Sequence, residues 1–93
     1  MHAEFAALPG ADLVEKGLDD LARGTESPEA LLVSIGYPRL TMHGVAIPNP
    51  LDDPEHRLYA LLAHAGSNAA HGRYNALVRR LVSFERALAC SGS

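Results

Sequence analysis

Apolar residues recur at helical spacing along most of the chain, with polar and small residues between the runs. The first run places Val14, Leu18 and Leu21 on one face, Leu13 and Ala22 at its margins, and Asp12, Glu15 and Asp19 opposite. Apolar positions three and four apart share one side of a helix. Asp12 with Glu15 three residues on forms a capping-box pattern, and Gly24 is a natural stop, so a helix over about 12–23 is expected. Gly17 interrupts the stripe. Within a helix it either costs about 1 kcal/mol relative to alanine or admits a close neighbour.

The next run, "SPEALLVSIG", opens with Ser27 as a cap and Pro28 in the first turn, where its missing N–H costs nothing. Leu31, Leu32, Val33 and Ile35 point in every direction, which predicts a short helix buried all round. "LLVSI" is also a compact apolar run, so the alternative is an α+β fold with a two-stranded hairpin at 30–35/44–48, using "GVAIP" as partner. "YPRLTMHG" reads as one or two helical turns, and the prolines of "VAIPNP" impose an extended connection. "DDPEHRLYALLAHAG" has Asp52 or Asp53 as cap, Pro54 in the first turn, and a stripe of Leu58, Leu61, Leu62 and Ala65 ended by Gly66. The link "GSNAAHG" leads to a last helix over about 69–89. The pattern therefore predicts a single all-α domain, residues 1–93. It is a small array of four to five helices ending in an antiparallel helical hairpin, 54–65 against 69–89.

In the last helix Tyr74, Leu77, Leu81, Phe84 and Leu88 are spaced 3, 4, 3, 4, a seam of coiled-coil type. Val78 and Val82 widen the apolar stripe to about 160°, more than the roughly 100° face a helix shows to one core. A helix this broadly apolar has two neighbours to satisfy, and a second copy of the chain is the simplest second neighbour. The expected interface is Tyr74, Leu77, Val78, Leu81, Val82, Phe84 and Leu88 of a homodimer.

Charge sharpens the picture of that helix. Residues 1–55 hold ten acids and three bases, net −7, whereas residues 56–93 hold Glu85 against five arginines, net +4, summing to −3. Arg73, Arg79, Arg80 and Arg86 decorate the last helix. They suit the acidic face of the first helix, another protein's acidic surface or solvent. A nucleic-acid partner is disfavoured by the pI of 5.9, by the single lysine, and by the lack of a helix-turn-helix or strand-borne aromatic motif. Glu85 projects close to the apolar stripe and needs a cationic partner there. Arg57 on the preceding helix or an arginine of a second subunit is expected to supply it.

Little in the chain points to catalysis. No phosphate loop, dinucleotide fingerprint or nucleophile elbow is present. The one cysteine, Cys90, cannot form an internal disulfide. His56, His64 and His71 are the nearest histidines, but His56 and His64 lie about 12 Å apart along a helix and about 80° apart in rotation. No metal site and no cofactor are expected. Arg57 and His64, in "RLYALLAH", resemble the Arg-x4–6-His pattern of HEPN-type helical ribonucleases. That resemblance covers two residues of one helix, and Leu58 stands where the family usually carries a polar residue. It implies an alternative function, RNA binding or metal-independent RNA cleavage around Arg57 and His64. Tyr37, Arg39 and His43 in the irregular middle stretch are either packing between helices or a recognition edge. With no secretory leader pattern and no membrane-length apolar run, the sequence reads as a cytoplasmic, non-enzymatic helical interaction or regulatory module.

Overall fold

The computed structural model describes residues 7–91. The chain forms α1 (Ala11–Ala22), α2 (Pro28–Ile35), α3 (Tyr37–Met42) and a helical span Pro54–Ser91 that breaks at Gly66. Gly66 takes an extended conformation, φ 173° and ψ 95°, and turns the chain back on itself. Residues 54–65 are α4 and residues 67–91 are α5. The Tyr59 ring lies 5.7 Å from that of Tyr74 and 6.5 Å from that of His71, so α4 and α5 run antiparallel. The all-α array and its terminal hairpin are as expected. No strand occurs among the described residues. The hairpin alternative fails because 30–35 is helical and the following turn leads into α3 rather than back across the sheet it would need.

α2 is the centre of the molecule, as its all-round apolar sequence implied. Ala30, Leu31, Leu32 and Val33 are each fully buried, packed between α1 on one side and the terminal hairpin on the other. Ser27 caps it by accepting the Ala30 amide at 3.0 Å. Ser34 is buried too, and its hydroxyl both donates to the Ala30 carbonyl and accepts the Leu51 amide at 3.0 Å. That second bond pins the extended 45–53 connection against the core. Asn49 fastens the same connection to α1 by donating to the Leu21 carbonyl.

Close backbone approach sets how α1 sits. A Cβ at Gly17 would stand 2.4 Å from the Glu29 carbonyl oxygen and 2.5 Å from Val33 Cγ2, so α1 and α2 touch there with no side chain between them. Gly10, at φ 81°, precedes α1 and rests on α5, where an added Cβ would be 2.7 Å from the Arg80 carbonyl oxygen. Gly10 is also the cap position of α1. The capping box expected at Asp12 and Glu15 is therefore absent, because the cap falls two residues earlier. Asp12 instead binds Arg80 at 3.0 Å, joining the acidic first helix to the basic last one. Two smaller expectations also change. The "GSNAAHG" link reduces to Gly66 alone, with Gly72 inside α5, and Ala65 is exposed.

Asp20 is the buried polar hub, at 2% exposure. Its carboxylate accepts from Lys16 Nζ at 2.9 Å, the Arg23 guanidinium at 2.8 Å and Ser27 Oγ at 2.6 Å, tying the end of α1 to the cap of α2. The hydrogen bonds from Lys16 and Ser27 hold its pKa well below the ordinary value of 3.8, outweighing the opposing effect of burial. A carboxylate depressed in the folded state stabilises the fold above the unfolded-state pKa, and that stabilisation drains as pH falls. Asp20→Asn removes the charge that three donors share. It is expected to lower Tm at pH 7 by on the order of 10 °C. Urea unfolding of the two proteins should draw steadily closer as pH falls below about 4, where the wild type begins to lose its advantage. Parallel pH profiles would show that Asp20 does not carry this linkage.

Candidate binding surface on the last helix

α5 presents two seams with different fates, one apolar and one of mixed polarity. The first is the one legible in sequence. Leu81, Phe84 and Leu88 are buried within the chain's own core at 2%, 0% and 8% exposure. Tyr74 and Leu77 of the same seam are partly buried and pack at the core's edge. Burial, followed by the nearby charge of Glu55, raises the Tyr74 phenol's pKa. The second seam lies one step round the helix. His71, Asn75, Val78, Val82, Glu85 and Ala89 are spaced 4, 3, 4, 3, 4, and none of them is buried. Of the seven expected interface residues, Leu81, Phe84 and Leu88 belong to the fold, Tyr74, Leu77 and Val78 pack partly buried at the core's edge, and Val82 lies partly exposed beyond it.

Between α3 and α5 lies a cleft of about 300 Å³, lined by Arg39, His43, Val82, Glu85, Arg86 and Ala89. α3 supplies the first two from its last turn and end, and α5 supplies the rest. Gly36, at the α2–α3 junction, lets Glu85 and Leu81 come close. An added Cβ would stand 3.0 Å from Glu85 Oε2 and 3.0 Å from Leu81 Cδ1. Glu85 is thus half-buried. Burial raises its carboxyl above the ordinary 4.5, while the charges of Arg39 and then His43 pull it down. No hydrogen bond or ion pair within 4.0 Å reaches it among the described residues.

The expected pairing of Glu85 with Arg57 does not occur. Arg57 binds Glu26 at 2.6 Å and donates to the Asp52 carbonyl, fastening the start of α4 to the loop before α2. The Arg57 guanidinium is thus already shared between a carboxylate and a carbonyl, and stays partly exposed. His64 is exposed further along α4. Arg73, Arg79 and Arg86 are exposed, and Arg80 is partly committed to Asp12. His71 is held by Asn75 at 3.2 Å and by the edge of Tyr59. No cluster of three or more His, Cys, Asp or Glu side chains able to hold a metal exists among the described residues. No described helix is long and apolar enough to cross a membrane. Cys90 is exposed.

Arg39 and His43 as neighbours of Glu85 were beyond reach of sequence, because they lie on a separate helix more than forty positions away. The one available signal was that "YPRLTMH" concentrates cations in a short irregular segment. No family model, curated protein or solved structure matches this chain.

Proposed function

We propose that the protein is a helical interaction module that self-associates through the second seam of α5. The observation that carries the reading is the palindromic 4, 3, 4, 3, 4 spacing of His71, Asn75, Val78, Val82, Glu85 and Ala89, none of them fully buried, with Val78 at the core's edge and Val82 further round the helix. A two-fold axis places a surface patch against itself. Two α5 helices packed antiparallel about the Arg80 position would set Val78 of each copy against Val82 of the other. Asn75 would then lie opposite Glu85, where its amide can donate to the carboxylate. Exposed Arg79 and Arg86 flank the patch, at the rim where charge is tolerated. With two valines per copy at its centre, the contact is small and belongs to the weak, reversible class.

Val78→Glu tests the reading; because Val78 also packs at the core's edge, urea unfolding of the variant is read beside its mass. Two carboxylates would face the opposing valines. The expected result is a wild-type protein whose sedimentation coefficient rises with concentration into the high micromolar range, and a variant that stays monomeric with its helical circular dichroism intact. A wild type that is monomeric at every concentration, or a variant of identical mass, overturns the proposal. Leu81→Glu cannot substitute for this test, since Leu81 is core and its charge would unfold the chain.

A further inference from the structure

Beyond self-association, the cleft between α3 and α5 has the composition of a small-molecule site. It places cationic and anionic groups side by side. Arg39 and Arg86 supply two positive charges, His43 an imidazole, and Glu85 one negative charge, with Val82 and Ala89 as small apolar lining. The cleft also sits at the carbonyl end of α5, which contributes roughly half a negative charge. The two signs nearly balance. A simple anion would gain from the arginines and lose to Glu85 and the helix end, and a simple cation would meet the reverse. A ligand carrying both charges gains from each.

Glu85 adds a second argument. It is a half-buried carboxylate with no hydrogen bond or ion pair among the described residues, lying close over the backbone of Gly36. Charged groups removed from water without a close partner are costly, and an ammonium donor would relieve that cost. The arginines are the planar, bidentate donors suited to a carboxylate. A volume of about 300 Å³ falls at the lower bound of small-ligand pockets and accommodates an amino acid with a modest side chain.

From this arrangement we infer that the cleft binds a free α-amino acid with an aliphatic side chain. Its carboxylate lies on Arg39 and Arg86, its ammonium on Glu85, and its side chain against Val82 and Ala89. Because Val82, Glu85 and Ala89 also belong to the second seam, the amino acid and a second copy of the chain contend for one surface. Binding is therefore measured on the full chain both as wild type and as Val78→Glu. Val78 does not line the cleft, so a failure of self-association and a failure of the site give different results.

The probes are leucine, the carboxylic acid that lacks its amino group, and the amine that lacks its carboxylate, titrated by NMR of the backbone amides. Leucine should produce saturable shifts at residues 39, 43, 85 and 86 in both proteins, with an affinity roughly tenfold or more above that of either truncated probe. Arg86→Ala and Arg39→Ala should each weaken leucine binding by a similar factor, and Glu85→Gln should erase its advantage over the acid. All three positions lie outside the buried core, so circular dichroism should show the fold retained. Equal affinity for the acid or the amine overturns the inference, as does an absence of saturable shifts in Val78→Glu at millimolar leucine.

Discussion

Gly17→Ala is expected to destabilise the protein by about 2–3 kcal/mol, although alanine is the better helix former. The added methyl would meet the Glu29 carbonyl oxygen at 2.4 Å and Val33 Cγ2 at 2.5 Å. Val33 is fully buried, so it has no space to rotate into, and the carbonyl belongs to the backbone of α2. The two helices must part. That separation loosens α2, which also contacts the hairpin, so the effect spreads beyond one pair. For a domain of this size the loss corresponds to a fall in Tm of roughly 10–20 °C. Gly72→Ala is the matched control. It sits in α5 with nothing within 4 Å of an added Cβ and should gain up to about 1 kcal/mol. Urea unfolding followed by circular dichroism measures both. Two shifts of the same sign would mean that the α1–α2 contact is looser than described.

The contrast between these glycines shows what a sequence discloses and what it withholds. Gly17 within an apolar stripe marked a weak helix or a close neighbour, and only the partner helix decides which. Local signals proved reliable. Ser27-Pro28 starts α2, Pro54 starts α4, and Gly66 reverses the chain. The signals that misled were local patterns overridden by distant groups. Asp12 has the composition of a cap, but Gly10 can approach the Arg80 carbonyl on α5 and so begins the helix earlier. Asp12 then turns to the Arg80 side chain. Asp20 gave no sign of its role. Its residue type is ordinary on a helix, and its burial depends on Ser27 and two cations converging from α1 and the turn that follows. The partial burial of Glu85 was legible from its angular position, but the ion pair expected for it does not form among the described residues, and the cleft it shares with Arg39 and His43 required α3 to be placed.

Phe84→Ala is expected to cost about 3–5 kcal/mol, the largest loss among single truncations on α5. Phe84 is fully buried, and its Cβ lies 3.4 Å from where a Cβ of Gly10 would stand, at the point where the start of α1 meets α5. Val82→Ala, two positions away on the partly exposed side, should cost below about 1 kcal/mol. Its larger consequence should be weaker self-association, because Val82 is the residue that Val78 of a second copy would meet. The pair thus divides the over-wide stripe into two functions. Phe84 reports on stability and leaves the surface of folded molecules unchanged; Val82 reports on association and leaves stability nearly unchanged. Chemical unfolding and sedimentation of both variants read the two effects separately. Were Val82→Ala as destabilising as Phe84→Ala, with association unaffected, α5 would have one seam rather than two. Its arginine-rich outer face would then be a solvated surface with no second helix to meet.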